Sequence, residues 1–247
     1  MTSLRRQLSS SIDLSKLKNQ RAKAGEQYIP TDVEQIANVI THALWIVPSL
    51  VGLFWMQTKS QSQAEIITTF VYGVSLICLF TVSTIFHTVS FTKRSGVLKN
   101  FFHIGDRAVI YIFIASSYTP WLMLKDFGGA EITSMWIVWT MAVLGILYQY
   151  IFHEQYKWLE TLFYLIIGVC PAWCVMHMAD PSGVFELAVG GMTYIAGVIF
   201  FKCDGIIPFA HAIWHCFVMT GAMFHFYAIN TYLIGVKQVE SSLDIHV

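Results

Sequence analysis

Long apolar runs separated by short polar segments make up most of this chain of 247 residues. Seven runs are long enough to cross the roughly 30 Å hydrocarbon core of a bilayer as helices. The run at 184–201 is short enough to leave six spans as the alternative count. The pattern therefore predicts an all-α membrane protein, a seven-transmembrane helix bundle. The predicted spans are 36–56, 64–90, 107–124, 132–152, 158–178, 184–201 and 208–234.

Composition supports a membrane protein. Hydrophobic residues make up 55% of the chain and charged residues 12%, with a mean hydropathy of +0.58, whereas about a quarter of a soluble domain is charged. The first 35 residues contain six Lys and Arg residues and no apolar core, so they do not resemble a cleavable signal peptide. We expect residues 1–33 to form a basic, solvated cytosolic tail. A weak amphipathic turn at the membrane surface, built on Leu4, Leu8 and Ile12, is the alternative.

Positive charge in alternate loops predicts the orientation, because Lys and Arg are retained on the cytosolic side. A cytosolic N-terminus places twelve of them on that side and three on the other. With seven spans, residues 235–247 then form a short luminal or extracellular tail. The twelve are Arg5, Arg6, Lys16, Lys18, Arg21, Lys23, Lys93, Arg94, Lys99, Arg107, Lys157 and Lys202, and the three are Lys59, Lys125 and Lys237.

The remaining composition restricts the partners. The formal net charge is zero, so no bulk attraction to nucleic acid is expected. Membrane lipids are the expected partners, with other membrane proteins left open. The five cysteines lie in or beside predicted spans, and we predict free thiols rather than a disulfide framework. Small residues such as Thr193 and Gly197 are expected to let helices approach, because the chain contains no GxxxG motif.

Four ionisable residues fall at one predicted depth in the membrane, where such groups are costly and usually functional. His87 lies near the end of the second predicted span and Asp106 at the start of the third. His211 and His215 follow Pro208 in the first two turns of the seventh span, and at spacing i, i+4 they share one face. Three imidazoles and one carboxylate are therefore expected in a single layer just inside the cytosolic boundary.

This set of side chains predicts a zinc site. Imidazole is a common zinc ligand, and three nitrogen ligands leave a fourth position for water, as in catalytic zinc sites. We predict His87, His211 and His215 as the ligands of Zn²⁺. Asp106 is expected to orient the bound water or act as general base. Ser83, one turn before His87, is expected to orient that water or stabilise an oxyanion.

The structural alternative is that such histidines are buried packing residues with ordinary hydrogen bonds. The matching depth of His87 and Asp106 favours a metal over packing. His225 lies about 15 Å beyond His215 along the same predicted helix, too deep for the same ion. We interpret His42, His177 and His225 as packing residues, and His103 and His153 as solvated loop residues.

Stretches around these residues are shared with a known family. They are Ser83-Thr-Ile-Phe-His87, the run 106–121, the run 200–215, and His225. On these stretches the chain resembles the progestin and adipoQ receptors together with bacterial hemolysin III proteins, over about residues 34–232. After the aspartate, this chain has Arg107-Ala-Val-Ile110 where hormone-binding relatives carry a Tyr-x-Gly-Ile type continuation. That difference argues against a ligand of the hormone kind.

The resemblance implies a seven-span protein with a cytosolic N-terminus and zinc held by His87, His211 and His215, with Asp106 nearby. It also implies relatedness to alkaline ceramidases, which hydrolyse lipid amides. Signalling and a Golgi, late endosomal or lysosomal, or plasma membrane location are expected on the same basis. Two function classes remain: a zinc-dependent hydrolase of a lipid amide or ester, and a non-catalytic receptor or scaffold in which zinc ties three spans together.

Overall fold

The computed structural model describes residues 17–23, 25–92 and 96–236. Seven helices in these ranges are long and apolar enough to cross a membrane, and the same ranges contain no strand. The predicted all-α bundle of seven helices is therefore confirmed. The helices are α1 Asp32–Lys59, α2 Gln63–Phe91, α3 Gly96–Leu124, α4 Glu131–Phe152, α5 Lys157–Val169 continued by the 3-10 helix Cys170–His177, α6 Val184–Phe201 and α7 Ala210–Tyr232.

Large apolar side chains cover the outside of the bundle. Phe54 is 69% exposed, Trp136 71% and Ile199 65%. Inside the bundle, Tyr72 and Trp121 are almost fully buried. An outer surface this apolar is stable against lipid rather than water. The chain is therefore a multi-pass integral membrane protein.

Helix α3 begins earlier than predicted. It starts at Gly96, eleven residues before the predicted start at 107. Polar residues such as His103 and Arg107 lower the hydropathy of its first turns, although these turns are helical. Asp106 consequently lies about 15 Å along α3, and the expectation that it lies at the start of the third helix was wrong.

The start of α7 has an unusual backbone. The helix begins at Ala210, so Pro208 precedes it and does not occupy its first turn as expected. Phe209, the N-cap, has φ +58°, a conformation that side-chain-bearing residues rarely adopt. Its backbone N–H donates to Oε1 of Glu34 at 3.2 Å. The first turn of α1 thereby fixes the turn that delivers the α7 histidines.

Glycines bring α6 and α7 together. A Cβ atom at Gly197 would lie 2.6 Å from Cβ of Phe217, and one at Gly190 would lie 2.3 Å from Cδ2 of His225. Both distances are shorter than any normal contact, so a larger residue would force the helices apart. The expected role of Gly197 in helix approach is confirmed, and Gly190 makes a second close approach that the sequence analysis missed.

Residues 17–23 and 25–30 fold over one end of the bundle, which differs from the expected solvated tail. Nζ of Lys18 donates to the Gly205 carbonyl oxygen at 2.9 Å. Gly205 has φ +75°, and a Cβ atom there would lie 2.5 Å from Cα of Arg21. This segment therefore packs directly on the connection between α6 and α7.

Membrane orientation is a testable prediction. The end of the bundle that carries Arg107 and Lys202 is expected to face the cytosol, because the other end carries only Lys59 and Lys125 among the described cations. An epitope tag at the N-terminus should be accessible after selective permeabilisation of the plasma membrane. A C-terminal tag should become accessible only when internal membranes are opened or from outside the cell. Tags found on the same side would mean that one span, first of all 184–201, does not cross the membrane.

Candidate metal site

Three histidines converge between α2 and α7. One ring nitrogen from each of His87, His211 and His215 lies within 4.8 Å of those of the other two. The ring centroids are 4.8 to 5.2 Å apart. Ligand atoms of tetrahedral zinc are about 3.4 Å apart at bond lengths near 2.05 Å. A small inward movement of each ring would therefore complete a three-nitrogen coordination sphere.

The other ring nitrogen of each histidine has its own polar partner. Nδ1 of His87 lies 2.8 Å from Oε1 of Gln35. Nδ1 of His215 lies 3.0 Å from the Thr41 hydroxyl, and Nδ1 of His211 lies 3.2 Å from Oδ2 of Asp204. When each Nδ1–H donates to its oxygen, every Nε2 keeps a free lone pair for the shared centre. Metal-binding histidines are commonly oriented in this way.

The donor set fits a metal ion. Nε2 of His87 is fully buried and has no hydrogen-bond partner in the described part of the chain. An unpaired buried nitrogen is costly, and coordination would satisfy it. The three nitrogen donors suit zinc and leave a fourth position for water or substrate. His87, His211 and His215 are the residues that would hold it.

Asp106 and Ser83 lie beside these histidines. Asp106 is 8% exposed and Ser83 2%, and the two side chains are neighbours. The Ser83 hydroxyl makes no hydrogen bond of normal geometry within the described ranges. Both residues, together with His215, line one cavity. The structure thus brings all five predicted site residues into one neighbourhood.

That space, the apolar cavity, has a volume of about 430 Å³ and lies among α3, α5, α6 and α7. Its walls are mainly aliphatic and aromatic side chains, such as Ile110, Leu187 and Val218. The volume is in the range of pockets for small ligands. At one end the cavity reaches Asp106 and His215, so an acyl chain inside it would meet the histidine cluster.

A second space of about 470 Å³, the polar vestibule, is also lined by Asp106 and lies against residues 21–23, 27, 28 and 30. Asp106 and Phe201 border both spaces. His87 and His211 face the vestibule, whereas His215 faces the apolar cavity. The histidine site therefore lies between the apolar cavity and the polar vestibule.

His103 is not the solvated loop residue expected from the sequence, and His153, which does lie in the turn after α4, is partly buried. His103 belongs to α3 and is 4% exposed. Its Nδ1 lies 2.8 Å from Nε2 of His153, and its Nε2 lies 3.4 Å from Oε1 of Glu154. Arg107 contacts the same carboxylate at 3.5 Å and that of Glu160 at 2.6 Å. This network forms part of the vestibule wall.

Two of the remaining histidines are buried. His42 stacks on His215 with ring centroids 3.6 Å apart, and neither of its ring nitrogens has a hydrogen-bond partner among the described residues. His225 is 8% exposed and faces the deep part of the apolar cavity. Both are buried, as expected for packing residues. His177 has no described side chain.

Sequence reasoning missed the residues that orient the histidines. Gln35 and Thr41 lie on α1, and Asp204 lies in the connection before α7. Asp204 lies within the run 200–215 that the chain shares with the family. That shared run was the sequence signal that could have identified Asp204 as a site residue. Gln35 lies among other polar residues in the first turns of α1, outside the predicted span, and the sequence contained no signal for it. Its partner could not be identified without the packing of α1 on α2.

These features define a seven-helix membrane protein with a buried cluster of three histidines at one membrane edge. The sequence profile described as Haemolysin-III related matches residues 32–226. The chain is 49% identical to monocyte to macrophage differentiation factor of Homo sapiens over 216 residues, covering 87% of this chain and 91% of that protein. It is 33% identical to Hemolysin-3 of Bacillus cereus over 211 residues, covering 81% and 92%.

The chain therefore belongs to the haemolysin III-related family. Its relative, monocyte to macrophage differentiation factor, is also assigned to the progestin and adipoQ receptor family. This confirms the family predicted from the stretches around His87, Asp106 and His211. The sequence stretches 118–121 and 200–215 pointed to the same differentiation-factor branch.

Proposed function

We propose that this protein is a zinc-dependent hydrolase of a lipid amide or ester within the membrane. The observation that carries the proposal is the junction at Asp106, where three histidines with oriented rings meet an apolar cavity large enough for an acyl chain. A structural zinc site has no need of such a chamber, because its coordination is closed by four protein ligands. The other function class, a receptor or scaffold, assigns no chemical role to Ser83 beside Asp106.

Each side chain has a separate task in this proposal. Zinc bound by His87, His211 and His215 would supply an acidified water and a Lewis acid at neutral pH. The Asp106 carboxylate accepts the proton of the attacking water and returns it to the leaving group. The Ser83 hydroxyl donates a hydrogen bond to the carbonyl oxygen as negative charge develops there. Gln35, Thr41 and Asp204 hold the imidazoles in one tautomer.

The walls of the two spaces position the substrate. The acyl chain lies among the aliphatic side chains of the apolar cavity, and the carbonyl reaches Asp106 at its end. Burial of an acyl chain contributes about 0.8 kcal/mol per methylene. The polar part of the lipid faces the vestibule, from which water enters. Membrane lipids are thus both the solvent and the substrate source for this protein.

Metal removal tests the proposal. Purified protein is expected to release free fatty acid from at least one member of a panel of ceramides and related amides and esters, measured by mass spectrometry. Incubation with a strong chelator should reduce release to background, and added Zn²⁺ should restore it. Background release from zinc-loaded, folded protein across the whole panel would favour the receptor or scaffold class. A location in Golgi, late endosomal or lysosomal, or plasma membranes, and a signalling role, belong to the same proposal.

A further inference from the structure

The polar vestibule has an unusual balance of charge. Its carboxylates outside the histidine site are already engaged: Glu154 by Arg107 and Lys157, and Asp204 by His211. Oδ1 of Asp204 has no hydrogen-bond partner among the described residues. In all, five cations and three carboxylates line the vestibule.

Three cations of the vestibule lack an acidic partner. Arg21, Lys23 and Lys202 line it but form no ion pair with a described carboxylate. Nζ of Lys202 donates instead to the Lys157 carbonyl oxygen and the Thr161 hydroxyl, both at 3.0 Å. The vestibule therefore has an excess of positive charge on its walls.

The surroundings of Lys202 disfavour the protonated, charged form of its side chain. Burial lowers the pKa of Lys202, and the neighbouring Arg107, Lys157 and Arg21 lower it further, partly offset by Glu160. An anion bound among these groups would reverse that effect. Cations that outnumber the carboxylates in a partly closed space are a common arrangement for binding phosphate.

The vestibule adjoins a space of the opposite character. Phe201 and Asp106 border both chambers, and Arg107 lies over the Phe201 ring at 4.7 Å. A molecule that fills both chambers must have an apolar chain on one side of Asp106 and a polar, anionic group on the other. A lipid with a charged head group has this form.

We propose that the polar vestibule is a head-group site for a phosphate-bearing lipid, bound by Arg21, Lys23 and Lys202. Its acyl chain occupies the apolar cavity. The inference deepens the proposed function and rests on it for the position of the reacting carbonyl at Asp106. It changes the substrate class from neutral lipid amides to lipids with an anionic head group. Residues 17–23 and 25–30 then serve as a cover that supplies two of the three cations.

Binding, measured without turnover, tests this inference. The full chain is placed in neutral phosphatidylcholine nanodiscs, and three competitors displace a radiolabelled lysophosphatidate. These are unlabelled lysophosphatidate, a monoacylglycerol with the same chain, and glycerol phosphate without a chain. The phosphate-bearing lipid is expected to bind at least about tenfold more tightly than the neutral one, since each nearby cation contributes roughly 1 kcal/mol. Glycerol phosphate should compete poorly.

Variants test whether the preference for the phosphate-bearing lipid over the neutral one depends on the vestibule cations. The double variant Arg21→Gln, Lys23→Gln and the single variant Lys202→Gln should each reduce it to about threefold or less. Lys99→Gln, which removes a cation at the same membrane edge but outside the vestibule, is the matched control and should preserve it. Arg21 and Lys23 are exposed, so their replacement tests the site even if Lys202→Gln fails to fold.

Three results would overturn the inference. One is equal affinity of wild-type protein for the phosphate-bearing and neutral lipids. Another is competition by glycerol phosphate as strong as that of the lipid, which would indicate a soluble ligand. The third is an equal effect of Lys99→Gln and the double variant, which would indicate general surface charge. Because no step requires hydrolysis, failure of the proposed enzyme activity would leave this result interpretable.

Discussion

Replacement of His215 by alanine is expected to remove zinc from the protein and to lower its stability strongly. The change deletes one of three converging nitrogens and leaves a set that binds zinc weakly. A ligand present at a thousandfold its dissociation constant stabilises the folded state by about 4 kcal/mol, and this contribution would be lost. His211→Ala should behave in the same way. Zinc per chain, measured by elemental analysis, should fall from about one to near zero, with a lower thermal unfolding temperature.

The matched control lies on the same helix. His225→Ala also removes a buried imidazole from α7, but this residue is about 15 Å further along the helix than His215. It should keep the wild-type zinc content, although loss of packing against Gly190 costs some stability. Well-folded wild-type protein without zinc would contradict the predicted site. Zinc loss in His225→Ala to the same degree would mean that α7 packing, rather than coordination, determines metal content.

Hydropathy was sufficient for the number and approximate positions of the helices, because lipid requires continuous apolar runs with internal backbone hydrogen bonds. It failed at the start of α3, where the first turns carry Lys99, His103 and Arg107. His103 and Arg107 are satisfied by tertiary contacts, such as the ion pair of Arg107 with Glu160 at 2.6 Å. A one-dimensional hydropathy pattern contains no information about such partners.

The candidate site was predictable to the extent that its residues share a depth. His87, His211 and His215 converge as the spacing predicted, because depth is fixed by helical rise and the i, i+4 pair by helical periodicity. The partners of their Nδ1 atoms were not predictable. Gln35 reaches His87 from another helix, and Asp204 reaches His211 from a loop. Both contacts depend on helix packing and loop conformation.

The network of His103, His153 and Glu154 was also missed, for a related reason. Residues next to a predicted span boundary were taken as solvated, whereas α3 and the turn after α4 bury them against each other. Glu154 has φ +64°, a backbone conformation that is rare for such a residue. The turn therefore places this carboxylate between His103 and Arg107, and no local sequence rule indicates that geometry.

Replacement of Asp106 by asparagine is expected to abolish most lipid hydrolysis while zinc stays bound. Asparagine keeps the size and much of the hydrogen bonding of aspartate but cannot accept the proton of the attacking water. Loss of a general base typically lowers the rate by about 10²- to 10⁴-fold. Zinc content should remain near one per chain, because Asp106 is not one of the three converging nitrogen ligands. Asp106→Ala should show the same separation of activity from metal content. Fatty acid release and elemental analysis on the same preparation measure both quantities.

Asp180→Asn supplies the control, since Asp180 is an exposed aspartate that pairs with Lys125 in the connection between the 3-10 helix and α6. It should retain wild-type rates, so that loss of activity in Asp106→Asn can be attributed to the position and not to the change of residue type. Full activity of Asp106→Asn would exclude the carboxylate as the base and leave water activation to zinc alone. Background release from wild type and Asp106→Asn alike, with zinc present in both, would mean that the three histidines hold a structural ion. The apolar cavity would then bind a lipid as a ligand, which is the receptor class.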